Sequence, residues 1–350
     1  TCTRGFMTDT KYLHALPKID LHHHFDGAFD LKHLYQEAKR RNLPQGQLSE
    51  TDFYARCQVS PSCRTLTEFL AVFEFFYEIA QDADFLHEEA HNLPARMAEQ
   101  GVIYLETRFG PHLFSGAGLT PERVTEAVLS GLERGALAGS MPPVRLILCA
   151  MRNAPVKQVE ELLSLYERFH SRGVCGLDLA GDESRYACRE YAPVFARAKE
   201  MGIPVTIHAG EAAGYESMLD ALDLFGARRI GHGIRAVESP ALIERLAREK
   251  ITLEVCLTSN LQTGNAAGYA EHPFEKLRSA GVPVTINTDD PSVSGIDLGH
   301  EWQQAIRTYS LTAKDQKQLL LNAADAAFCS DAERDGLRNR IENFFATLPR

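Results

Sequence analysis

Histidines 22, 24 and 208 and aspartate 289 are the side chains whose types and spacing first suggest chemistry. In "IDLHHHFDGAFD", residues 19–30, three imidazoles interrupt an apolar run. If that run is a strand, residues two apart share a face. His22 and His24 then point together and His23 points away. Such a pair is ambiguous alone, because buried histidines are often satisfied by backbone partners. His208 in "VTIHAGE" and Asp289 in "INTDDP" change the reading if they converge on the pair. Three neutral imidazoles and one carboxylate form a borderline-to-hard donor set that suits a catalytic Zn²⁺ with a position left for water.

Two further groups are placed for proton handling rather than ligation. Glu211 follows His208 by three residues, and His232 sits between glycines in "RIGHGI". A zinc ion lowers the pKa of water toward about 7. His232 is then the candidate to orient the nucleophile, and Glu211, kept protonated by burial, the candidate proton donor. Simpler readings exist for each. Glu211 could be a helix N-terminal carboxylate, the glycines around His232 could mark a tight turn, and Asp289–Asp290 could cap a helix before Pro291. Taken together, the residues point to metal-assisted hydrolysis at a polarised C=N or C=O carbon.

Residues so far apart need a scaffold that gathers them. Eight β-rich runs recur along the chain: Ile19–Phe25, Val102–Phe109, Val144–Met151, Val174–Leu179, Pro204–His208, Arg229–His232, Ile251–Leu257 and Val282–Thr288. Amphipathic stretches such as Pro121–Leu137 and Pro155–Arg172 separate them. In "MGIPVTIHAGE" and "AGVPVTINTDD" a glycine ends a helix just before a strand. Eight alternations predict an α/β fold of the (β/α)8 barrel type in one domain over residues 1–350, with an open doubly wound sheet as the alternative. A helical insertion, about residues 45–95, follows the first strand and contains "LTEFLAVFEFFYEIA", read as one aromatic-rich helix. The polar residues fall at the C-terminal ends of runs one, five, six and eight, where barrels build their sites.

Bulk properties narrow the partners. With 44% hydrophobic and 24% charged residues, the chain has the make-up of a folded domain with a sizeable core. A net charge of −10 argues against a nucleic-acid backbone or an anionic membrane, and leaves a small molecule as the natural partner. The eight cysteines include no Cys-x-x-Cys pair, as expected for reduced thiols in a cytoplasmic protein. Cys57 and Cys63 are near enough in sequence to pair, but buried free thiols are the expectation. No apolar run is long enough to span a membrane and no signal-peptide core is seen. The first six residues carry no motif, and Met7 is a plausible natural start. The sequence leaves the oligomeric state open.

The ordered motifs "LPKIDLHHHFDGA", "VIYLETRFGPHL", "ILCAMRN", "GLDLAGDE", "HAGEAAG", "RIGHGI", "CLTSNLQTG" and "INTDDPSV" make the chain resemble the adenosine deaminase family of the metal-dependent amidohydrolases nearly end to end. The resemblance implies that His22, His24, His208 and Asp289 hold one zinc ion per chain. It implies that Glu211 protonates purine N1 and that His232 holds the attacking water. It assigns Asp290 to N7, the backbone of Gly181 to N3, and Asp26 to the sugar hydroxyls. The implied reaction converts adenosine and 2′-deoxyadenosine to inosine and 2′-deoxyinosine with release of ammonia. The third histidine and Phe25 depart from the commoner "HxHLDG" form without touching a proposed ligand.

Leu66, Phe69, Leu70 and Phe73 fall at i, i+3, i+4 and i+7, a single apolar stripe that ordinary core packing would also explain. They match the family's lid helix, which implies a cover over a nucleoside. Related deaminases act on adenine, methylthioadenosine or aminodeoxyfutalosine, and these remain alternative substrates. Cytidine-type deaminases need a Pro-Cys-x-x-Cys that is missing here. Binuclear amidohydrolases often use a bridging lysine after strand four, and "VCGLDLAGDESRY" has none. A non-catalytic nucleoside-binding protein would have no use for Glu211 and His232.

Overall fold

The computed structural model describes residues 9–116, 118–137 and 142–348, so Met7, the six residues before it and Cys2 lie outside the described residues. Eight parallel strands run β1 (Lys18–His24), β2 (Val102–Phe109), β3 (Val144–Met151), β4 (Val174–Ala180), β5 (Thr206–Ala209), β6 (Arg229–His232), β7 (Thr252–Val255) and β8 (Val284–Ile286). They pair consecutively in two groups of four, β1–β4 and β5–β8. Parallel bridges join both seams, Leu177 to Val205 on one side and His23 to Asp289 on the other. Side chains reinforce the second seam: Leu21 N donates to Asn287 Oδ1 at 3.0 Å, and Thr288 Oγ1 to Asp20 Oδ2 at 2.6 Å. Strand-to-strand contact therefore runs round the whole ring, and the barrel reading holds over the open sheet.

The expected strands lie within a residue or two of the observed ones, except that β7 and β8 are shorter than their apolar runs. Gly202 and Gly281 take positive φ (74° and 84°) just past their helices, so each chain reversal falls where the glycine permits it. Strand β2 is buried along its whole length, because one face meets helices and the other the barrel interior. That interior is charged rather than apolar. Glu106, Arg229, Glu254, Arg108 and Asp178 form a chain of ion pairs, each residue no more than 1% exposed.

The segment Leu66–Ala80 departs from expectation. It is three short pieces, Leu66–Leu70, the 3₁₀ turn Phe73–Phe75 and Tyr77–Ala80, rather than one helix. Adjacent aromatic side chains here take partners on different sides. Phe75 packs on Phe53 with centroids 5.3 Å apart, while Phe76 reaches Phe29 at 6.2 Å. Satisfying both outweighs the modest helix propensity of an aromatic-rich run. Phe29 gathers Phe25 and Phe85 as well, at 5.3 and 5.2 Å edge to face, which fastens the insertion to the barrel rim. The helix Ala83–Glu99 then returns the chain to β2. The seven described cysteines are free, Cys57 and Cys63 included. Among the described residues no helix is long and apolar enough to cross a membrane.

Candidate active site

All four expected ligands converge at the C-terminal ends of the strands. His22 and His24 come from β1, His208 from β5, and Asp289 from just beyond β8. Their donor atoms lie within 4.8 Å of one another. His22 Nε2 is 3.1 Å and His24 Nε2 3.3 Å from Asp289 Oδ1, and His24 Nε2 is 3.1 Å from His208 Nε2. His23 turns away to Thr107 Oγ1 at 2.9 Å, as the alternation of strand side chains requires.

The outer atoms of these rings fix their inner ones. His22 Nδ1 is 2.8 Å from Glu254 Oε2, and His208 Nδ1 is 2.9 Å from Asp178 Oδ2. A carboxylate only accepts, so each Nδ1 carries the proton and each Nε2 offers its lone pair inward. His22 Nε2 is fully buried and makes no hydrogen bond. Burial and Arg108 would depress the His22 pKa, yet the neighbouring carboxylates of Asp289 and Glu254 hold it above its usual value, so positive charge is favoured beside them. Nitrogen lone pairs and a carboxylate oxygen closing on one point fit a zinc-like divalent ion. Arg108 holds both outer carboxylates at once, Asp178 at 2.8 Å and Glu254 at 2.9 Å.

Backbone strain marks the same place. Five non-glycine residues among those described have positive φ, and three of them, Asn42, Lys250 and Ser310, end helices. The other two are His232 (φ 60°) and Asp289 (φ 63°). Left-handed backbone away from a helix end costs about 1–3 kcal/mol and persists where surrounding structure demands it. Gly231 plays a different part: a Cβ there would meet His22 Cε1 at 2.9 Å, so its bare backbone makes room for the imidazole.

Glu211 lies in the loop after β5, ahead of the helix Tyr215–Asp223 rather than in its first turn, and it is 3% exposed. Burial pushes its carboxyl well above the usual range, with Asp289 and Glu183 adding to the effect. His232 Nε2 lies 3.7 Å from Glu211 Oε2 and 3.8 Å from Asp289 Oδ2, and burial keeps its ring neutral. Asp290 stands at the N-cap of the short helix that follows, but its side chain makes no capping hydrogen bond. Its Oδ1 and that of Asp26 are buried without hydrogen-bond partners. Burial raises both carboxyls, Asp26 to about 7, and Asp289 adds its charge in each case.

One cavity joins these groups. His24, Asp26, Gly181, His208, Glu211, His232, Asp289 and Asp290 line it on the polar side, and Leu66, Phe69, Leu70 and Phe73 on the apolar side. The stripe thus faces the cavity although its helix is broken. Sequence reasoning passed over Tyr77, Ser259, Cys149 and Met151, which line the same space, and the buried charges Arg108, Asp178 and Glu254 beneath it. A signal for the latter existed. Charged residues at alternate positions in otherwise apolar strands are costly unless paired, which points to a supporting layer.

A family model described as adenosine deaminase matches residues 17–344. An adenosine deaminase of Haemophilus ducreyi is 36% identical over 336 residues, which cover 94% of this chain and 97% of that protein. Among solved structures, an adenine deaminase from Arthrobacter aurescens superposes with a TM-score of 0.88 at 23% identity, covering 95% of this chain and 100% of that one. An N6-mAMP deaminase of Arabidopsis gives a TM-score of 0.86 at 26% identity, over 95% and 100% of the two chains.

Proposed function

The chain belongs to the adenosine deaminase family, and from that premise we propose that the strand-end cluster is its catalytic centre, with one zinc ion held by His22, His24, His208 and Asp289. The family reaction is metal-dependent hydrolytic deamination, and in this chain it converts adenosine to inosine with release of ammonia. When bound, the metal supplies a Lewis acid that activates water near neutral pH. The protein supplies the rest. Glu211, protonated through burial, gives its proton to purine N1 as C6 is attacked. His232 holds the attacking water. Asp290, protonated in its buried setting, is suited to donate to N7, and the backbone of Gly181 meets N3. Asp26 receives the sugar hydroxyls.

The observation that carries this reading is the pair of orphaned carboxylate oxygens. Asp26 Oδ1 and Asp290 Oδ1 are buried, unpartnered and on the wall of one cavity. A buried polar atom without a partner is costly, and a ligand that bonds it recovers the loss. A nucleoside has a base nitrogen for one and sugar hydroxyls for the other, whereas free adenine would leave Asp26 unused.

The wall also carries Asp289 and Glu211 but, among the described residues, no lysine or arginine. A 5′-phosphate would enter a site with carboxylates and no cationic side chain to receive it. This supports adenosine and 2′-deoxyadenosine over AMP. Leu66, Phe69, Leu70 and Phe73 would cover the bound nucleoside and exclude water. Ammonia release measured across adenosine, deoxyadenosine, adenine, AMP, methylthioadenosine and aminodeoxyfutalosine tests the assignment. The highest kcat/KM on any of the last four would overturn it.

A further inference from the structure

Behind His232, away from the ligands, lies a buried chain of three polar partners. His232 Nδ1 is 3.1 Å from Asn260 Nδ2, Asn260 Oδ1 is 3.1 Å from His272 Nε2, and His272 Nδ1 is 3.0 Å from the backbone nitrogen of Phe274. All three side chains are at most 3% exposed. The direction of every bond follows from the far end. A backbone N–H can only donate, so His272 Nδ1 must accept and holds no proton. Burial pushes the His272 pKa down to about 3, so the ring is neutral and its single proton sits on Nε2. That N–H needs an acceptor, which turns the Asn260 carbonyl toward His272. The Asn260 amide N–H₂ then faces His232 and donates to Nδ1.

We infer that Asn260 and His272 are positioning residues that lock His232 as its Nε2–H tautomer, so that it presents a hydrogen-bond donor to the attacking water rather than a lone pair. A neutral His232 in this state cannot take a proton through Nε2. Its part is to orient the nucleophile and stabilise developing negative charge. The frame that holds the lock is stiff. Asn260 sits in the helix Leu257–Gln262 that follows β7, and its backbone oxygen accepts from Asn265 N at 2.9 Å and Ala266 N at 3.0 Å. This inference rests on the reading of His232 as the group that faces the water.

Two measurements test it on the metal-loaded full chain. Long-range proton–nitrogen correlation spectra of histidine-labelled protein, with the His272 signals assigned through His272→Gln, should find His232 and His272 both protonated at Nε2 and bare at Nδ1. A protonated Nδ1 on His232 overturns the inference, whatever the kinetics. The second measurement uses Asn260→Asp, nearly identical in shape. Its carboxylate can accept from His272 and from His232 together, which keeps every bond but reverses the His232 tautomer. We expect metal content, melting temperature and KM to be preserved while kcat falls by about 10²-fold, as for loss of one aimed donor. An unchanged or raised kcat in a variant whose spectra show His232 bare at Nε2 would mean that the donor is dispensable, and would overturn the inference. A His232→Ala variant of unimpaired rate would instead remove the water-holding reading on which it rests.

Discussion

Replacing Glu254 by glutamine strikes the layer beneath the four candidate ligands without touching the cavity. The carboxylate serves four donors: His22 Nδ1 at 2.8 Å and Arg108 Nη2 at 2.9 Å through Oε2, Arg229 Nε at 2.6 Å and Thr206 Oγ1 at 2.8 Å through Oε1. An amide has one acceptor and one donor end. Whichever way it is turned, two of the four donors face an N–H₂. Both guanidiniums also lose a counter-charge, although Arg108 keeps Asp178 and Arg229 keeps Glu106. Breaking a fully buried ion pair costs about 3–5 kcal/mol, and the residual pairings place this case toward the lower end. Loss of the partner that orients a ligand imidazole weakens metal binding by about 10–100-fold. The assay is a competitive chelator titration of the purified variant beside a thermal melt. With metal in excess, kcat should return toward that of the unaltered chain, because Glu254 touches no reacting atom. A metal affinity and melting temperature indistinguishable from the parent would refute the view that the buried charge layer orients His22.

Glu211→Gln should keep the fold and the metal while lowering kcat by about 10²-fold or more. Since burial raises the Glu211 pKa, the acid form persists to higher pH than for an ordinary glutamate; activity of the parent should fall as pH rises through the raised pKa, and a pH–rate profile of the glutamine variant should lack the limb. Elemental analysis should find about one zinc per chain, lost together with activity in His22→Ala and His208→Ala, whereas Asp290→Ala should lose activity and keep its metal. Two metals per chain, or full activity after chelation, would count against the single-zinc centre. Gly231→Ala would set a methyl group 2.9 Å from His22 Cε1; overpacking of this kind costs about 1–3 kcal/mol, and metal content at limiting zinc should drop with it.

The sequence by itself determined the elements and the donor set. Strand and helix periodicity recovered eight strands at nearly their observed limits, because apolar spacing is a local consequence of which faces are buried. The same spacing told His22 and His24 apart from His23, since alternation of side chains is built into an extended backbone. Glu211, His232 and the paired aspartates were legible because strand ends in a barrel share one rim, so residues far apart in sequence have a common destination. Only the tertiary structure decided the rest. The run Leu66–Ala80 reads as one helix, but neighbouring aromatic rings find partners on opposite sides and the helix breaks. The positive φ of His232 and Asp289 belongs to the folded strand ends, and the modest tolerance of histidine and aspartate for that region does not announce it. Arg108, Asp178, Glu254, Asn260 and His272 gain their meaning from partners 12 to 232 positions away. A hydrogen bond's direction depends on what stands at its far end. That end is supplied by folding.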